Sequence, residues 1–115
     1  MVEIKYINSK AGIQNGFELN FDFKKYVPEK YWHSAIFDME KSFYFDLMEK
    51  SELFTCNREG FDFFGIEHYP CSYKENKFMM SEDYGICSFF VDPGNVAHLS
   101  EIAEALKNLI IKTKE

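Results

Sequence analysis

The chain has 115 residues, 46% of them hydrophobic and 18% aromatic, enough apolar material for one packed core and too little length for two ordinary domains, so residues 1–115 read as a single domain. Nineteen acids against thirteen bases give a net charge of −6, and Arg58 is the only arginine; nucleic acid is not expected as a partner, because phosphate and guanine contacts call for clustered Lys and Arg. Met1 leads straight into Val2, Glu3, Ile4 and Lys5, with no basic and then apolar leader, and no apolar run approaches membrane-spanning length, so a cytoplasmic protein that binds no membrane is expected.

Val2, Ile4 and Tyr6 alternate with Glu3 and Lys5, the period of a half-buried strand ending near Ile7. Phe17, Leu19, Phe21 and Phe23 alternate with Glu18, Asn20 and Asp22, a second strand that pairs naturally with the first as a hairpin. From Pro28 the period lengthens: Trp32, Ile36, Met39, Phe43 and Leu47 form the inward stripe of a helix over about 28–50. A third strand is expected from Gly60 to Tyr69, with Gly65 marking a bulge or close approach and Pro70 ending it. A short strand around Lys77 to Met80 and a longer one from Tyr84 to Val91 follow, before a turn at Asp92 to Asn95. Leu99, Ile102, Ala103, Leu106, Leu109 and Ile110 line one face of a last helix, about 95–112, with acids early and lysines late to suit the helix dipole. The class is α+β, a mainly antiparallel sheet of about five strands packed against two helices.

Cys56, Cys71 and Cys87 are an odd, widely spaced trio, a pattern of reduced thiols rather than of a disulfide framework. Cys56, His68, Cys71 and Cys87 lack the tight pairs of a structural zinc site, and no metal or other cofactor is expected. No nucleophile elbow, Gly-rich phosphate loop, HExxH pair or dinucleotide fingerprint occurs, so an enzyme is not expected either. A small hydrolase built on Cys71 and His68 is the weaker alternative, since such pairs are assembled only in space.

Charge and rings are distributed unevenly. Between Asp38 and Glu67 lie eight acids against three bases, nearly all of the net −6, interleaved with Phe43, Tyr44, Phe45, Phe54, Phe61, Phe63, Phe64 and the adjoining Tyr69. On a helical wheel Phe37, Tyr44 and Met48 form a second apolar strip, and Tyr31, Asp38, Phe45 and Glu49 lie opposite the inward stripe. A helix with rings on more than one side is either buried more fully than usual or has a partner. Exposed, this stretch suits a basic protein: Asp38, Asp46, Glu49, Glu59 and Asp62 are expected to pair with its cations, and Tyr44, Phe45 and Tyr69 to anchor it.

In size, acidity and this acidic, aromatic stretch, the chain resembles the immunity proteins of bacterial toxin systems, including those of contact-dependent inhibition. The resemblance implies a small cytoplasmic inhibitor that caps a cognate toxin, commonly a basic nuclease domain, one to one and without chemistry of its own. It rests on no motif, and no individual residue role carries over from it. The alternative is a homo-oligomeric adaptor, such as a homodimer, or a small-ligand-binding domain without catalytic activity.

Overall fold

The structure, a computed structural model, describes residues 1–8, 15–32 and 39–114. Among them seven antiparallel strands form one sheet: β1 Glu3–Asn8, β2 Asn15–Asn20, β3 Phe54–Cys56, β4 Phe61–Phe63, β5 Ile66–Tyr73, β6 Asn76–Asp83 and β7 Ile86–Val91. Three helices accompany the sheet, α1 Phe23–Tyr26, α2 Met39–Glu49 and α3 Leu99–Lys112, with 3-10 turns over Glu29–Tyr31 and Pro93–His98. The fold is α+β, as the sequence pattern implies. Five expected strands become seven because Gly60 to Tyr69 holds a hairpin instead of one strand, and because β3 precedes it.

The strand order is β1-β2-β7-β6-β5-β3, with β4 also paired to β5. The first hairpin has the expected register, Ile4 opposite Leu19 and Tyr6 opposite Phe17. The second strand stops at Asn20, however, and Phe23 opens α1 instead of ending a strand. Beyond Asn20 there is no β1 residue left to pair with, and Phe21 packs instead against the rings of Tyr26 and Phe43.

Three successive hairpins link β4 to β7 through one turn design. Phe64 and Gly65 (φ 56° and 81°), Lys74 and Glu75 (48° and 71°), and Tyr84 and Gly85 (51° and 85°) are the central pairs. Positive φ at both central residues is the signature of the type I′ turn, whose twist matches that of its strands. Gly65 is therefore a turn residue, and Tyr84, expected to start a strand, stands at a tip.

Pro70 lies inside β5, contrary to the expectation that it ends the strand. Its carbonyl accepts from Asn57 N–H at 2.9 Å, so its missing N–H also faces the edge side and costs nothing in the pairing with β6. There the edge chain bulges: Asn57 to Gly60 span the gap between the Cys56–Cys71 and Phe61–His68 pairs. Gly60 is required at its end, since a Cβ would lie 2.2 Å from the His68 carbonyl oxygen.

One face of the sheet meets the helices. Tyr69, Cys71, Tyr73, Phe78, Met80, Cys87, Phe89, Val91, Phe17 and Leu19 alternate onto it and join α2 and α3 in one contiguous cluster. Phe89 is its centre, stacked on Phe17 at 5.0 Å and met edge-on by Tyr44 at 5.0 Å. From α3, Ile102, Ala103, Leu106 and Ile110 are buried, with Leu99 and Leu109 at the margin. The expected helix over 28–50 is α-helical over Met39–Glu49 and a 3-10 turn over Glu29–Tyr31, while residues 33–38 lie outside the described residues. No helix among the described residues is long and apolar enough to cross a membrane.

Candidate functional site

The expected anchor rings point the wrong way for a partner. Tyr44 is fully buried, and Phe45 and Tyr69 are core residues packed edge-to-face at 4.9 Å. The reason is a strap over the outer side of α2: the Arg58 guanidinium lies 4.9 Å above the Phe45 ring and closes it off. Of the two possibilities left by the ring-rich helix, fuller burial is the one realised for Tyr44 and Phe45. Both rings are covered within the chain itself.

The same strap occupies two of the expected acids. Arg58 donates from Nη2 to Asp46 at 2.8 Å and from Nε to Glu49 at 2.5 Å, and Tyr31 hydroxyl also donates to Asp46. These bonds hold the Asp46 carboxyl below its usual range, the Tyr31 hydroxyl foremost, and Arg58 does the same for Glu49. Glu59 and Asp62 are exposed, Asp62 accepting from Gly65 N–H at 3.0 Å within the turn. Asp38 lies outside the described residues.

A different set of rings is exposed. Phe61, Phe63 and Phe64 on the β4–β5 hairpin, and Tyr84 and Ile86 on the β6–β7 hairpin, are among the most exposed large apolar side chains, Phe64 at 89% and Tyr84 at 83%. Both turns fall at the same end of the sheet, because β5 and β6 run antiparallel with Glu67 opposite Glu82. Two strand spacings place the tips about 10 Å apart. Phe64 and Tyr84 also take the first turn position at positive φ, where Asn or Gly is favoured and an aromatic is strained. An aromatic there serves folding twice badly, by backbone strain and by exposed apolar area. No Lys or Arg occurs from Glu59 to Tyr73 or from Phe78 to Leu106, so the tip ends of these two hairpins carry acids alone, with Glu59, Asp62, Glu67, Glu82 and Asp83, while Lys77 stands at the far end of β6.

No family model, curated protein or solved structure matches this chain. Its site is therefore read from its own geometry.

The face of the sheet turned away from α2 and α3 carries rows that strand register makes explicit. Phe61, His68, Ser81 and Ser88 run side by side across β4, β5, β6 and β7, and Phe63, Ile66, Asp83 and Ile86 make the next row toward the tips. His68 Nδ1 and Ser81 Oγ are 2.8 Å apart, and Ser88 hydroxyl donates to Glu18 Oε2 at 2.8 Å. A recess of about 300 Å³ opens here, lined by Glu18, Ile66, His68, Asp83, Ile86 and Phe90 among others. A larger hollow of about 540 Å³ lies toward the other end, along Thr55, Pro70, Lys77, Met79 and Asp92, with both charge signs in its wall.

Cys71 and His68 are not brought together. They stand three positions apart on one strand and so face opposite sides of the sheet, Cys71 buried beside the Cys56 thiol at 2.8 Å. The contact with Cys56 and burial push the Cys71 thiol up, and burial does the same to Cys87, the reverse of the activation a nucleophile needs. Among the described residues no group of three or more His, Cys, Asp or Glu is arranged to hold a metal ion. Glu40 of α2 reaches the sheet and accepts from Cys87 N–H at 3.2 Å; burial pushes its carboxyl up to about 7.

The exposed rings were open to sequence reasoning through one signal, two X-Gly pairs flanked by strand patterns, Phe64-Gly65 and Tyr84-Gly85. Reading Gly65 as a bulge hid it.

Proposed function

We propose that this chain is a protein-binding inhibitor of the immunity type, which caps a basic protein domain, a toxic nuclease, with the tip of its sheet. The observation that carries the reading is the pair of hairpin tips, with Phe61, Phe63, Phe64, Tyr84 and Ile86 exposed among carboxylates and no Lys or Arg from Glu59 to Tyr73 or from Phe78 to Val91. Rings that lose their water on docking supply contact energy, and Glu59, Asp62 and Asp83 steer and orient a cationic partner. The acids first expected on α2 are engaged by Arg58, so the docking surface moves to the far side of the bulge.

The test is a calorimetric titration of the purified chain with a basic nuclease toxin domain, together with the toxin's residual activity. Replacing Phe63 and Phe64 together by Ala is expected to weaken binding about 10- to 100-fold, the range for hot-spot rings. Asp62→Lys with Asp83→Lys is expected to slow association and flatten its salt dependence. Full affinity in the tip variants, salt-insensitive binding, or a partner seated on α3 alone would overturn the reading. Sedimentation over a concentration series is expected to show a monomer, because two acid-only tips repel each other.

A further inference from the structure

We infer that the recess beside the tips seats a basic side chain of the docked protein, an arginine guanidinium; this deepens the proposed function and rests on it. The recess shares Ile66, Asp83 and Ile86 with the tip rows, so a protein lying on the exposed rings covers its mouth. At about 300 Å³ it lies at the small end of ligand sites, room for one long side chain rather than a nucleotide. Part of its wall is apolar, Ile7, Ile66, Ile86 and Phe90, which suits the methylenes and flat face of an arginine.

Besides Asn8 and His68, the polar groups include acceptors at defined places. Glu18 has Oε2 held by the Ser88 hydroxyl, which ties the carboxylate to the recess wall. Asp83 is the second carboxylate on the lining, and the Ser81 hydroxyl is tied to His68. Two carboxylates and fixed hydroxyls around an apolar slot match the planar fork of guanidinium better than the round head of lysine. Among the described residues the strands carry two cations on this face, Lys77 in the other hollow and Lys5, which stands opposite Glu18 in register on β1 and competes for the same carboxylate.

The test uses the whole chain, isotopically labelled, titrated with blocked arginine, blocked lysine and blocked glutamine and followed by amide shifts. Expected are saturable shifts at Glu18, Ser81, Asp83, Ile86 and Ser88 with arginine, weaker ones with lysine and none with glutamine. Glu18→Gln, which keeps the bond to Ser88, and Asp83→Asn are each expected to weaken arginine about tenfold, the worth of one charged hydrogen bond, and Lys5→Ala to strengthen it. Shifts that never saturate, or that spread equally to Glu101 and Glu104 on α3, overturn the inference. The two readings fail separately. An arginine-specific recess on a chain that no basic protein binds removes the partner reading and keeps the recess. Tip variants that weaken a bound partner while Glu18→Gln and Asp83→Asn leave it unchanged do the reverse.

Discussion

Two groups of aromatic side chains in this protein have the same chemistry and opposite roles. Phe17, Phe43, Tyr44 and Phe89 sit between the sheet and α2, each ring against another at 5.0 to 5.9 Å, and none is more than marginally exposed. Phe61, Phe63, Phe64 and Tyr84 sit at the hairpin tips, half or more exposed, with Phe63 and Phe64 against each other and Phe61 beside the His68 ring. Burial is what turns ring area into stability, so the first group holds the fold and the second is left for contact with something else. Ring content along the chain does not distinguish them.

The sharpest way to break that contrast is at Phe89. Phe89→Ala removes the ring that Phe17, Tyr44 and Phe78 all meet, and is expected to cost about 3–5 kcal/mol, read as a fall in the urea midpoint at unchanged slope. A loss under about 1 kcal/mol would mean that the layer is not packed as described.

Glu40 tests the same layer through pH. Its folded carboxyl titrates near 7 against an ordinary 4.5, so the folded state holds the proton more tightly than the unfolded chain does. That contribution is whole below about pH 4.5, fades as pH rises, and is gone above about 7. Glu40→Gln imitates the protonated acid and keeps an acceptor for Cys87 N–H. It is expected to be near neutral at pH 4.5 and to stabilise by up to about 3 kcal/mol at pH 8, measured by denaturant titration at both. Equal effects at the two pH values would place Glu40 in water.

The turns give a smaller effect. The β5–β6 hairpin has Glu75 at φ 71° where the two tips have glycine, so Glu75→Gly is expected to add about 0.5 kcal/mol, the relief of positive φ less the entropy lost by glycine. A lower melting temperature in this variant would argue against the type I′ turn. Smallest of all is Phe64→Ala, expected to change stability by less than about 0.5 kcal/mol while weakening partner binding. A large destabilisation there would make Phe64 a fold residue and dissolve the contrast with Phe89.

Much of the architecture was legible because it is periodic. The alternation around Ile4 and Leu19 fixed the first hairpin, and the spacing of Ile102, Leu106 and Ile110 fixed α3, since each pattern has one solution that buries its apolar face. The stretch from Gly60 to Tyr69 was misread because Phe61, Phe63 and Ile66 suit either one strand or two. The choice lies with the turn at Phe64 and Gly65 and with pairing to β6. At Pro70 a strand end and a strand interior look alike in sequence, because only the sheet shows which side its missing N–H faces.

The site divides in the same way. Sequence by itself determined that the acids are local, concentrated between Asp38 and Glu67, and that a single arginine is present. Tertiary structure decided which rings are available: Arg58 folds back over Phe45 and takes Asp46 and Glu49, while strand register turns Phe61 and Phe63 outward. Charge along a chain can be counted, but exposure is a property of what packs on top, and for Tyr44, Phe45 and Tyr69 that cover comes from residues distant in sequence.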